Sequence, residues 1–444
     1  MLKWKGALLA LVVATPAAAQ DLSISCRCVS GGANGELADW IKDSVIPGFE
    51  AAHDGVTVTL NEFAGGDEQL TQQLALDFST GAGADIAGFD GFLIPNFVEA
   101  GLLKPIAELV GPEAMEWEGW SHISDGSKAL MSYDGQPYGI AMGTDVRMIF
   151  ARADLLESSG IDPASFQPTS WEELLEAARQ VKQAHPDSFP LQLNAGVPMG
   201  EATTMQGYWM AILGTGESIT DEEGRYIVES QGILDVLNLY KTIYVDEELG
   251  DARAQQLGDG RNRTFANFRD AKTAMLVEGD WFYRSVTAPG SEFEVAERDA
   301  KMTWAKMPAK EPGAGWNGQD FVTISGGTGW VMNPNTDAPQ LAWELLAYMN
   351  SKEQLDAFQE FQPRIRIRDD VPVPTDAFLT ETSSVLLPLT TARPNDPNYN
   401  AVSAEIQRMT EAVVSGSMTP EEAMARYKDA VTEIVGEDNT ASLM

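Results

Sequence analysis

Cysteine, histidine and positive charge are all scarce in this chain. Its 444 residues hold two cysteines and three histidines, and 66 acidic side chains against 30 lysines and arginines, for a formal net charge of −36. Two cysteines cannot build the multi-bridge framework that staples small secreted domains. His53, His122 and His185 stand far apart, which argues against a three-histidine metal site and a histidine-based triad. No HExxH, GxSxG or P-loop motif occurs. The acidity repels phosphate backbones and anionic lipid, so nucleic acid and membrane surfaces are excluded as partners. It also makes neighbouring carboxylates unavoidable by chance, so such pairs carry no weight toward a glycosidase.

Long apolar runs are missing too, except at the start. Lys3 and Lys5 precede an apolar stretch from Gly6 to Val13, and Ala17-Ala18-Ala19 offers a small-residue cleavage site. That is the pattern of an export signal, too short to span a bilayer. Cleavage after Ala19 is expected to release a periplasmic protein. Cys26 lies well beyond the apolar core, so no lipid anchor is expected.

What is present is a chain long enough for two domains of roughly 200 residues each. LSISCRCVSG reads as a strand, and helical spacing follows through Leu37, Trp40, Ile41 and Val45. VTVTLNEF alternates as a second strand, Glu68 to Phe78 is an amphipathic helix, and DIAGFDGF is a third, buried strand. This βαβαβ order builds a parallel sheet, whose ligands sit beyond the carboxyl ends of the strands. The loops SGGANG, AGGDEQ and FDGF fall at that edge. Further on, Ser170 with Glu173, and Thr419 with Glu422 and Pro420, mark two helix starts. A core stripe of Leu341, Leu345, Leu346 and Met349 marks another helix.

CRCVSGGANGEL, at residues 26–37, is the least ordinary part of the N-terminal region. If both cysteines lie on a strand they share a face, with parallel rather than facing side chains. Two buried thiols acting as small apolar fillers is then the favoured reading, with a bridge or reactive pair as the alternative. Ser30 and the amides of Gly31 and Gly32 are candidate donors to a ligand. A second unusual stretch is PRIRIRDDVP, where Arg364, Arg366 and Arg368 alternate. As a strand they would point one way and guard a surface edge. Alternatively, Arg364 or Arg366 enters a cleft and pairs with an acidic group of a ligand.

Several segments together carry a family resemblance: ADIAGFDGFLIPNFVEAGLLKPI, YGIAMGTDVRMIFARADLL, FRDAKTAMLVEGDWFY and SGGTGWVMNPNTDAPQLAWELLAYMNSKEQ. In their order and spacing they resemble the carbohydrate-binding, maltose-binding-protein-like solute-binding proteins of ABC importers. The resemblance implies an α/β, two-lobed periplasmic binding protein fold of type II, each lobe a mainly parallel sheet flanked by helices. It places the N-lobe at 20–144 plus 329–372 and the C-lobe at 145–328 plus 373–444, with the cleft at the hinge. It also implies a monomeric, non-enzymatic carrier without cofactor or metal, which holds a carbohydrate ligand and meets ABC permease subunits.

Sugars offer hydroxyls and apolar ring faces, so a site wants carboxylates, backbone N–H donors and aromatic faces. Trp281, in EGDWFY, matches the family's stacking tryptophan; Trp209 is a further candidate, ahead of Trp316, and Trp330 stands beside it. Asp67 and Asp90 follow strand ends, although a helix cap and a turn cap would also explain them. Asp145 and Arg147 lie at the expected hinge and either bind or pair with one another. Gly32, Gly66, Gly327 and Thr328 line glycine turns, and Ser30 and Arg364 complete the set. Rival readings are a polyamine or polyol binder and a secreted polysaccharide hydrolase.

Overall fold

The computed structural model describes residues 20–32 and 34–444, and the export signal expected at 1–19 lies outside the described residues. The strands that position the site are β1 (Gln20–Cys26), β2 (Val56–Glu62), β3 (Ile86–Asp90), β4 (Gly139–Thr144), β5 (Arg147–Arg152), β6 (Leu191–Gln192), β7 (Met275–Gly279), β8 (Met302–Ala305), β9 (Phe321–Ser325), β10 (Gly327–Met332) and β11 (Thr390–Ala392).

The first sheet has the order β2-β1-β3-β10-β4. β1 runs parallel to β2 and β3, as the βαβαβ pattern predicts. Leu22, Ile24 and Cys26 turn inward at every second position, the period of a pleated strand. Helices cover the sheet, among them Asp67–Thr80 and Pro339–Met349. Their core joins Trp40, Phe49, Ile86, Trp330, Leu345 and Leu346. Of the expected stripe, Leu341 is only partly buried while the other three are fully inside.

The second sheet, β8-β5-β7-β6, serves a separate core of Trp209, Tyr208, Tyr240, Ile406 and Val431. Here the expectation of mainly parallel sheets needs correction. β5 is antiparallel to both β7 and β8, and β10 is antiparallel to both β3 and β4. The reason is topological. Only two residues separate β4 from β5, and only Gly326 separates β9 from β10. Each chain therefore runs straight out of one sheet and into the next. It cannot turn around to join the direction set by the βαβ units.

The helix caps follow the sequence with one difference. Thr419 and Glu422 form a reciprocal capping box. At the other start, the Ser170 hydroxyl accepts the Glu173 N–H, but the Glu173 carboxylate reaches back to Thr169 instead. No helix of the described residues is long and apolar enough to cross a membrane.

Candidate functional site

The two cores meet where the chain crosses between them, from β4 into β5 and from β9 into β10, and these crossings form the floor of the site between the lobes. At the floor, the Asp145 carboxylate accepts from the Gly326 N–H at 2.7 Å and from the Arg147 guanidinium. Arg147 also donates to the Ile324 carbonyl at 3.0 Å, and its guanidinium lies 5.0 Å from the Trp281 ring centroid. A Cβ at Gly326 would sit 3.3 Å from Arg393 and 3.4 Å from both Arg147 and Asp145. Three charged side chains thus gather around Gly326.

Trp281 follows β7 and is partly exposed. Its ring folds back over Gly279, where a Cβ would stand 2.0 Å from Cζ3. The glycine in EGDW is thus the seat of the tryptophan. Asp145, Arg147 and Trp281, assigned from sequence as candidates, are brought together as one cluster.

Asp90 stands at the other side of the floor, paired in register with Thr328, which is exposed beside it. Its carboxylate caps Phe92 N–H at 3.4 Å and accepts from Arg393 at 2.8 Å. Arg393 donates also to Glu201 at 3.2 Å and lies 4.1 Å above the Phe92 ring. Glu201 in turn accepts from the hydroxyls of Tyr399 and Ser403. Burial pushes the Asp90 carboxyl up to about 6; Arg393 opposes this, and Asp67, Asp145 and Glu201 add to it. Arg393, Glu201 and Tyr399 were missed by sequence reasoning. Arg393 sits alone in the loop TARPNDP, where no spacing or motif marks it.

Deeper in the second lobe, Glu278 is buried and receives Arg261 at 2.7 Å and Asn194 at 3.2 Å. Gln206 donates to Glu278 at 3.4 Å, while its own carbonyl oxygen is buried without a partner. The opposing walls touch. A Cβ on Gly200 would stand 2.4 Å from Glu68, and Asn395 donates to the Ser132 carbonyl at 3.0 Å.

Other candidates need correction. Trp209 is 1% exposed within the second core and offers no stacking face, because a turn of π-helix over 203–209 aims it inward. Trp330 is buried likewise in the first core. Ser30 is exposed but already engaged: its N–H donates to Glu62, its hydroxyl donates to Asp39, and Lys42 donates to it. The Gly32 N–H closes a turn onto the Val29 carbonyl at 2.8 Å. Gly66 caps the helix that begins at Asp67, and the exposed Asp67 carboxylate reaches Arg27 at 3.4 Å. Gly327 is buried in β10.

The cysteines form a disulfide, with Cα atoms 5.3 Å apart, so the reading as two thiols fails. The strand ends at Cys26, and the Cys28 N–H donates to the Cys26 carbonyl at 2.9 Å. That three-residue turn swings the two side chains toward each other, which a continuous strand would not do.

The expected arginine row also fails. Arg366 is exposed and donates to the Asp369 and Val371 carbonyls. Arg368 is fully buried against Asp370, Glu118 and the Asn350 carbonyl. The segment makes only single bridges, Thr144 with Ile365 and Ile123 with Arg368, so no strand aligns the three side chains. Glu118, His122 and Asp370 cluster closely enough to hold a cation, but the Arg368 guanidinium already lies against both carboxylates.

Two lobes joined by crossing strands, with aromatic and charged groups gathered where they cross, define a solute-binding protein. The chain belongs to the bacterial extracellular solute-binding protein family, whose model matches residues 34–356. It is 23% identical to a Brucella abortus (strain 2308) protein whose name records binding without a ligand, over 97% of each chain. It is 24% identical to the arabinooligosaccharide-binding protein of Halalkalibacterium halodurans, covering 72% of this chain and 66% of that one. In fold it matches an ABC transporter solute-binding protein from Thermotoga lettingae, crystallised with α-D-tagatose, with a TM-score of 0.78 and 24% identity over 94% of this chain and 100% of that one.

Proposed function

We propose that the protein captures a sugar or sugar-like solute between its lobes and presents the closed form to the permease of an ABC importer. The observation that carries this reading is Trp281 beside Asp145 and Arg147 at the crossing strands, facing Asp90 across the floor. It pairs an aromatic face for a sugar ring with charged acceptors and donors for its hydroxyls. The arabinooligosaccharide-binding relative and the tagatose-bound neighbour support the same ligand class.

In this reading the N-lobe comprises 20–144 plus 329–372 and the C-lobe the remainder. The ligand set is Asp90, Asp145, Arg147, Trp281, Thr328 and Arg364. The protein works in the periplasm as a monomer, without cofactor, catalysis or nucleic acid. A polyamine fits poorly, since Arg364 reaches the floor without a carboxylate partner and would repel a polycation. A polyol keeps the hydroxyl pattern and remains within the class.

Thermal shift and calorimetry across sugars, polyols and polyamines test the reading, because binding to the folded state must raise its melting temperature. A stabilisation by sugars that Trp281→Ala weakens is the expected result. Stabilisation by a polyamine alone would overturn it, and so would reducing ends released from oligosaccharides.

A further inference from the structure

At one corner of the cleft two arginines converge, and one of them has no carboxylate of its own. The Gln362 side-chain oxygen accepts from two guanidinium groups at once, from Arg284 at 2.7 Å and from Arg364 at 3.0 Å. Arg284 has a carboxylate partner, the fully buried Asp280 at 2.8 Å. Arg364 has none: among the described residues no carboxylate lies within salt-bridge distance of it. Among the described residues its guanidinium donates only from Nε, to Gln362, so the outer fork is uncommitted.

That fork lies over the cleft floor. The Arg364 guanidinium centre is 5.0 Å from the Phe358 ring centroid, and a Cβ at Gly143 would stand 3.5 Å from its Cδ and 3.9 Å from Nη1. Gly143 pairs with Thr328, which pairs on its other side with Asp90. The far side of Gln362 touches Ser285 at 2.8 Å and Glu36 at 3.4 Å, so both lobes meet at this corner. Burial first, and Arg284 second, push the Arg364 guanidinium down to about 9, against the pull of Asp280, Asp145 and Glu36.

Two guanidinium groups sharing one neutral oxygen repel each other, and an anion set between them would turn that repulsion into two charge-assisted bonds. The surrounding carboxylates limit how much negative charge the corner accepts. Asp280 pairs with Arg284, Asp145 with Arg147, and Glu36 stands on the far side of Gln362, so only the Arg364 fork lacks a carboxylate of its own and the corner takes one added negative charge and not two. We propose that the solute is an acidic sugar carrying a single negative charge, a carboxylate or sulfonate, seated on the fork of Arg364 with Arg284 behind it. This rests on the sugar-binding reading and narrows it. An arginine fork matches a planar carboxylate in two parallel bonds, which a neutral hydroxyl cannot reproduce.

The test compares matched ligands by calorimetry: glucose with glucuronate, galactose with galacturonate, ethanesulfonate as a bare sulfonate, and glucose 6-phosphate as the doubly charged case. The expected result is at least tenfold tighter binding of a uronate than of its neutral partner, a preference that weakens in 0.5 M NaCl. Arg364→Gln should bring the ratio close to one and Arg364→Lys should restore part of it. Arg366→Gln, two residues along the chain but turned to the surface, should leave the ratio unchanged. The variants' melting temperatures separate lost preference from lost fold. Equal or tighter binding of the neutral sugar, or tightest binding of the phosphate, overturns the proposal while leaving the sugar-binding reading intact. If neither neutral nor acidic sugars bind, the sugar-binding reading fails and this proposal with it.

Discussion

Arg393 ties the two walls of the cleft together, and its removal gives a quantitative test of how closure is stabilised. The residue belongs to the second lobe beside Tyr399 and Glu201, yet it bonds to Asp90 and stacks over Phe92 from the first. Phe92 itself packs against both cores and meets Tyr399 edge-on at 5.9 Å. A hydrogen bond to a charged group is worth about 1.5–3 kcal/mol. The side chain of Arg393 is 9% exposed but that of Asp90 is 36%, so water can replace part of the lost bond. The lower end, about 1.5 kcal/mol, is therefore the fitting value. Stacking on Phe92 adds about 0.5 kcal/mol. The cross-cleft share is then about 2 kcal/mol, or roughly thirtyfold in the open–closed equilibrium.

Arg393→Met is expected to weaken ligand binding by about that factor, since only the closed form holds the ligand on both sides. Asp90→Ala should reproduce most of the effect, and the double variant should be far from additive. Calorimetry gives the affinities. Small-angle scattering, with and without ligand, gives the compaction. A coupling energy within about 0.3 kcal/mol of zero would refute the reasoning, and so would an unchanged radius of gyration in Arg393→Met without ligand.

Trp281→Ala should cost about 1.5–3 kcal/mol of binding with little change in melting temperature. Trp209→Ala should do the reverse, losing about 3–5 kcal/mol of stability by emptying a core site; calorimetry and denaturant melts tell them apart. Asp90, raised to about 6 by burial, holds its proton more tightly folded than unfolded, so its share of stability falls as pH rises from about 4 to about 6. Melting temperatures of the wild type and Asp90→Asn should diverge over that window, with the variant gaining at the higher pH. A constant difference would contradict the assignment. The Cys26–Cys28 bridge closes a loop of three residues, so loop entropy predicts that reducing it costs only about 1.6 kcal/mol. Denatured, unreduced protein should show no titratable thiol.

The sequence by itself determined the periodic elements and the family pattern. Strand alternation in β1, the βαβαβ order and the Thr419 capping box all arise from local spacing, and local spacing survives into the fold. EGDW was legible for a similar reason, since Gly279 and Trp281 are neighbours that pack on each other. Asp145 and Arg147 stand two residues apart in the short crossing from β4 into β5, so their pairing could be anticipated.

Only the tertiary structure decided the rest. Arg393 reaches Asp90 across 303 positions of sequence, and nothing local marks either as the other's partner. Arg364 and Arg284 meet on Gln362 because two lobes close on one corner, and the alternation of PRIRIR misled because no strand forms there. The antiparallel returns of β5 and β10 came from the two short crossings, which no propensity encodes. Periodicity records which face of an element is buried. Which charges end up facing each other depends on where the chain crosses between lobes, and that is a property of the whole fold.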